Sequence, residues 1–170
     1  GIGTQHGGIL VDFNAVKGGI EIIPLDNDWQ KAAHVYSDEV LISHRTDAEK
    51  GTPKFERGKS LSDYQCEMIY ISGTAAIRGE ESIVTGDVLV QTEITLENIQ
   101  HLIGLEEGRE KLPEHSGKLE LLRVYLKHEE DAKIVKEDMD KLCPDVPIVY
   151  LYADVCREEL LVEIEGIAYL

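Results

Sequence analysis

Between residue 66 and residue 170 the spacing of apolar side chains alternates between the period of a strand and that of a helix, and this alternation restricts the fold more than any other feature. Glu67 to Ile77 reads as a buried strand, with Met68, Ile69, Tyr70 and Ile71 running into a turn at Ser72-Gly73-Thr74. Thr85-Gly86-Asp87 places helix-capping side chains directly before Val88, Thr92, Thr95, Leu96, Ile99, Leu102 and Ile103, spaced for one helix face and ending near Gly104. A polar loop with Gly108, Pro113 and Gly117 follows, and Leu119 to Lys127 then alternates as a strand. Glu129, Glu130 and Asp131 put acids at the positive end of a second helix, whose stripe is Ala132, Val135, Met139 and Leu142 and whose stop is Pro144. Ile148 to Tyr152 and Leu160 to Ala168 complete the set as strands. The last has Val162, Ile164 and Gly166 on one face and Glu163, Glu165 and Ile167 on the other.

Strand, helix, strand, helix, strand, strand predicts an α+β sandwich, a sheet with two helices packed on one face. Residues 1–65 read as a strand-rich amino-terminal extension and residues 66–170 as the main domain. Within the extension, strands are expected at Gly8 to Phe13, Ile20 to Pro24 and Glu39 to Ser43, and Asp47 to Lys59 reads as a mobile charged loop.

Charge narrows the function classes. The net charge is −16, most of it from residues 66–170, and such a field repels a polyanion, which excludes general nucleic-acid binding. No apolar run reaches the ~18 residues of a membrane span, so no membrane partner is expected. Cys66, Cys143 and Cys156 form no CxxC pair and no disulfide framework, which fits a reducing, cytoplasmic setting. His6, His34, His44, His101, His115 and His128 have no metal-ligand spacing, so neither a metal nor another cofactor is expected.

Three separated segments carry a family likeness: Ile71-Ser72-Gly73-Thr74-Ala75-Ala76-Ile77, Gly86-Asp87-Val88 with Gln91-Thr92 and Leu96-Glu97-Asn98-Ile99, and Leu161-Val162-Glu163-Ile164-Glu165-Gly166-Ile167-Ala168. In this order they resemble the RidA (YjgF) family over residues 66–170. The resemblance implies a chorismate-mutase-like α+β fold, a homotrimer, and ligand clefts between subunits. Gly1-Ile2-Gly3-Thr4-Gln5-His6, Ile77-Arg78-Gly79 and Asp154-Val155-Cys156-Arg157 extend the likeness to the carboxy-terminal part of chorismatases, which carry two domains of this type and cleave pyruvate from chorismate. That resemblance implies Glu163 as the acid that protonates the enolpyruvyl methylene, with Cys156 in the same pocket. The chain begins without Met, so it reads either as a piece of such a longer protein or as a RidA-like protein in its own right.

The chemistry is consistent with those residue types. Protonating an enol ether carbon requires a carboxyl kept neutral by burial, and an inward Glu163 beside Glu165 meets that need. A dicarboxylate ligand requires cations: Arg157 is the leading candidate, Arg123 and Lys127 follow, and Arg78 is weaker. Each has a plainer reading, as a surface ion pair for the cations and as a core filler for Cys156. Ile148-Val149-Tyr150-Leu151 after Pro147 lacks the Arg that holds the substrate carboxylate in imine-deaminating relatives, which argues against that reaction. Two function classes remain: a chorismatase-like enzyme, or a trimeric RidA-like small-molecule-binding protein or hydrolase of the endoribonuclease L-PSP type without chorismatase activity.

Overall fold

A computed structural model describes residues 13–41, 51–63, 65–104 and 118–170. Six strands form one sheet in the order β1-β2-β3-β8-β6-β7. They are β1 (Glu21–Leu25), β2 (Gly58–Ser62), β3 (Glu67–Thr74), β6 (Lys118–Leu126), β7 (Ile148–Tyr152) and β8 (Val162–Tyr169), while β4 (Ile77–Arg78) and β5 (Glu81–Ser82) make a separate small hairpin. Neighbours are antiparallel except β6 and β7, whose parallel pairing needs a crossover that the helix α2 (Ala132–Leu142) supplies. The helix α1 (Val88–Leu102) and α2 lie on the same sheet face, as an α+β fold requires.

Local chemistry sets these elements. The Asp87 side chain accepts from the amides of Leu89 and Val90 and caps α1, after Gly86 turns the chain at φ +68°. Val88, Leu96 and Ile99 from α1 and Ile103 at its C-cap meet Val135 and Met139 from α2 over Ile69, Ile71, Leu122, Val124, Leu126, Val162, Ile164 and Ala168. Alternate residues of each strand therefore go to this core, and the others go to a face that no helix covers among the described residues.

Several expectations need correction. The first strand stops at Thr74, because the β3–β8 register slips between Ile71 and Thr74 and bends the chain away, leaving Ile77 to pair in the small hairpin. Glu129–Asp131 is a short 3₁₀ turn and the α-helix begins at Ala132. Residues 39–41 form a turn end rather than a strand, and residues 42–43 lie outside the described residues, as does the expected strand at Gly8 to Phe13 apart from Phe13 itself, which is irregular and exposed. Of the expected loop at Asp47 to Lys59, residues 47–50 also lie outside; residues 51–57 are irregular, and Gly58 begins β2. The strands before residue 65 and those after it share one sheet, since β2 pairs with β3 along its whole length.

Candidate active site

At the bulged end of β3 the sheet, the segments 36–41 and 51–57, and the turn before β8 enclose a cavity of about 350 Å³. Its walls include Tyr36, Phe55, Arg57, Cys156, Arg157 and Glu163. Glu163 enters from β8, on the face opposite the core, and is only 7% exposed. A Cβ at Gly73 would collide with Glu163 Oε1, so the absence of a side chain there makes the room for the carboxyl. Among the described residues no donor hydrogen-bonds to that carboxyl, and burial, with the charge of Glu165 added, pushes its pKa above the ordinary carboxylate value. Such a shift favours the protonated form of the carboxyl.

Two cations share the cavity. Arg157 is 8% exposed, and its Nη1 donates to the Glu80 carbonyl and to Ser82 Oγ, both at 2.9 Å. Arg57 is 4% exposed; its Nη2 donates to the Lys31 carbonyl at 2.6 Å and to the Tyr36 hydroxyl at 2.5 Å, and its buried Nε has no partner. Both guanidinium groups stand over the Tyr36 ring, at 5.8 Å for Arg57 and 5.5 Å for Arg157. Among the described residues neither forms an ion pair with a carboxylate. A buried charge without a counter-ion is costly, and an anionic ligand in the cavity relieves that cost.

The walls are held from outside the cavity. Gln91 of α1 donates to the Glu159 carbonyl at 3.0 Å and accepts from the Leu161 amide at 2.8 Å, which ties the approach to β8 against the helix. The segment that carries Tyr36 is fixed on the β4–β5 hairpin: the Lys31 amide donates to the Gly79 carbonyl at 2.7 Å, and the Ser37 amide donates to Glu80 Oε2 at 2.7 Å. The same Glu80 residue thus anchors Tyr36 through its carboxylate and Arg157 through its carbonyl. Further back, Trp29 stacks on His101 with ring centres 4.0 Å apart, and His101 pairs with Asp28.

The likeness to known proteins bears on this geometry. Over 98% of its length the chain is 33% identical to a chorismatase of Streptomyces rapamycinicus and 32% identical to a 3-hydroxybenzoate synthase of Streptomyces hygroscopicus. The match takes in 49% of each, so the chain spans about half the length of the curated relatives it matches. A solved chorismatase superposes with a TM-score of 0.71 at 27% identity, over 86% of this chain and 43% of that one. In sequence and in fold the chain is similar to about half of a chorismatase. At the level of fold alone, the YjgF gene product of E. coli superposes with a TM-score of 0.52 at 18% identity, over 68% of this chain and 87% of that one. A putative endoribonuclease L-PSP from Entamoeba histolytica gives 0.57 at 12% identity, over 88% of this chain and the whole of that one. No family model matches the chain.

Against this chorismatase-like frame, the structure brings Glu163, Arg157 and Cys156 together in one cavity. Burial, followed by the charge of Glu163, raises the Cys156 thiol pKa, so it lines the cavity as a neutral group rather than a thiolate, although the residue is exposed overall. Arg123 and Lys127 are not brought there. Arg123 shares the open sheet face with Glu163 but lies two residues along β6, where its Nη1 is 2.6 Å from Glu165 Oε1, and Lys127, just past the end of β6, donates from Nζ to the Glu158 carbonyl at 2.6 Å. Arg78 pairs with Glu97 at 2.6 Å and stands over Trp29. Sequence reasoning missed Arg57, Tyr36 and Phe55. The one available signal was the placing of Phe55 and Arg57 just before an alternation of small residues at Gly58, Ser60 and Ser62, in a stretch dominated by charge.

Proposed function

We propose that the protein carrying this chain cleaves pyruvate from chorismate or a related enolpyruvyl compound, with Glu163 as general acid. The observation that carries the reading is a buried carboxyl of raised pKa facing the same cavity as two buried arginines that form no ion pair with a carboxylate among the described residues. Arg57 and Arg157 supply two anchoring points for a dicarboxylate, and the Tyr36 and Phe55 rings offer apolar surface between them. The Glu163 proton goes to the enolpyruvyl methylene carbon, leaving a carboxylate on Glu163 and an oxocarbenium centre on the substrate. Water adds at that centre, its released proton returns the carboxyl to its starting state, and the hemiketal collapses to pyruvate and an alcohol. The charged intermediate sits where desolvation and fixed guanidinium groups replace solvent.

In the same reading the protein is cytoplasmic, with its three cysteines unpaired, and assembles as a homotrimer through the uncovered sheet face, which exposes Ile22, Val149, Leu151 and Tyr169. Residues 66–170 make the RidA-like domain, whose sheet the preceding extension lengthens by β1 and β2. The test is pyruvate release from chorismate by the intact gene product, wild type against Glu163→Gln. The substitution keeps the shape and removes the transferable proton, so the rate is expected to fall by roughly 10² to 10⁴-fold. A wild-type protein that releases no pyruvate overturns the substrate assignment, and an active Glu163→Gln variant overturns the acid.

A further inference from the structure

Arg123, set aside as a cavity cation, has another role open to it. On β8, Glu163 and Glu165 project from the same face two residues apart, and on β6 their register partners are Tyr125 and Arg123. Arg123 Nη1 donates to Glu165 Oε1 at 2.6 Å, and the Tyr125 hydroxyl donates to the same oxygen at 2.7 Å. Burial, and then the bond to Glu165, raises the Tyr125 pKa, so its phenol stays neutral and keeps donating. These three side chains lie on the open face, beside a shallow hollow lined by Tyr70, Leu121, Gly166 and Ile167. They do not touch the 350 Å³ cavity.

We propose that Glu165, restrained by Arg123 and Tyr125, is a positioning residue that sets how firmly Glu163 holds its proton. The effect is electrostatic and needs no contact. Two residues along a strand separate the carboxylates by roughly 7 Å, a distance at which unit charges change each other's proton affinity by roughly 3- to 50-fold between the water and protein-surface limits. A full negative charge at Glu165 favours the protonated form of Glu163, and Arg123 offsets part of that charge. Among the described residues, the other ionisable groups facing Glu163 are Cys156 and Arg157 from the turn before β8, and Arg57 and Tyr36 across the cavity; from β6 there are Tyr125 and Arg123, and β3 contributes Tyr70 on the same sheet face. Of these, only the Arg123–Glu165 couple is an ion pair outside the cavity that can be altered without changing the ligand's walls.

The rate side of the proposal rests on the function proposed above; the proton-affinity side does not. Titration of the glutamate carboxyls by carbon NMR in this chain, with Glu163 assigned by the loss of its signal in Glu163→Gln, measures it directly. Glu165→Gln is expected to lower the proton affinity of Glu163 roughly 3- to 50-fold, and Arg123→Gln to raise it. Arg123→Lys, which keeps the charge, is expected to leave it in place, and the double variant Arg123→Gln/Glu165→Gln to return it close to wild type. Shifts of opposite sign that cancel in the double variant are a signature that a packing role does not produce. If Glu165→Gln does not fold, Arg123→Gln against Arg123→Lys decides alone, since Arg123 is partly exposed. No movement, or movement in the same direction for both single variants, overturns the proposal. In the intact gene product the alkaline limb of pyruvate release should follow the same shifts. Shifts in the titration without pyruvate release leave the coupling standing and remove the reaction; release with an unmoved Glu163 does the reverse.

Discussion

The two faces of β8 differ in what holds them. Val162, Ile164 and Ala168 point into a core of aliphatic side chains drawn from every layer of the fold, whereas Glu163 and Glu165 point to a face where polar groups meet in small sets. On the first face stability grows with apolar area removed from water. On the second a carboxyl is kept away from water with no donor among the described residues, which costs stability and favours its protonated form. One strand therefore separates stability from chemistry by its pleat alone.

Neighbouring substitutions break that comparison most sharply. Glu163→Gln is expected to remove roughly 10² to 10⁴-fold of the rate without lowering the melting temperature. Ile164→Ala, one residue on, is expected to cost about 2–5 kcal/mol of stability, read by chemical denaturation. If the glutamine variant unfolds as the alanine variant does, the division between the faces is wrong.

The arginines come next in size. Arg57→Ala and Arg157→Ala each remove an anion contact without touching the proton donor, so KM is expected to rise about 10- to 100-fold with a much smaller change in kcat. Steady-state kinetics of pyruvate release checks this. A fall in kcat with KM unchanged would place the arginine's work in the transition state.

Both the core face and the Glu163 half of the cavity were legible in the sequence, for different reasons. The limits of β7 could be read outright, because Ile148 to Tyr152 is a short apolar run bounded by Pro147 and a polar turn. The helix α1 could be read from its cap and its spacing. Arg157, Cys156 and Glu163 were legible because they lie within eight residues of each other in a recognisable segment. The opposite wall was not. Arg57 precedes β2, a strand whose core-facing positions are Gly58 and Ser60, small residues that give no apolar alternation. Tyr36 reaches the cavity only because Glu80, more than forty residues later, holds the Ser37 amide. A wall assembled from two segments joined by hydrogen bonds leaves no periodic mark in either.

Two glycines sharpen the comparison at a smaller scale. At Gly73 an added Cβ meets Glu163 Oε1, the free end of a flexible side chain, so Gly73→Ala is expected to displace the acid and lower the rate about tenfold or more at little cost in stability. At Gly166 it meets the Leu121 carbonyl at 2.5 Å and Leu122 Cδ2 at 2.7 Å, which have no room to yield. Gly166→Ala is accordingly expected to cost about 1–3 kcal/mol of stability. Melting curves alongside pyruvate release distinguish the two, and a Gly73→Ala protein with full activity would show that the carboxyl has a second productive position.

The smallest effect is a dependence of stability on pH. Because burial raises the Glu163 pKa in the folded protein, the folded and unfolded states differ in proton uptake between the ordinary glutamate value and the raised one. Below the ordinary value both states are protonated and the group costs nothing. As pH rises through the raised value, the folded chain must carry a desolvated carboxylate, and stability is lost relative to a neutral side chain. Glu163→Gln is therefore expected to match wild type in acid and to be more stable at neutral and alkaline pH, with the difference growing across that interval. Denaturant titrations of the two proteins across the pH range measure it. The same substitution that removes the reaction then restores the stability that the carboxyl costs on its face of β8, and a gain that is equal at every pH would assign it to packing instead.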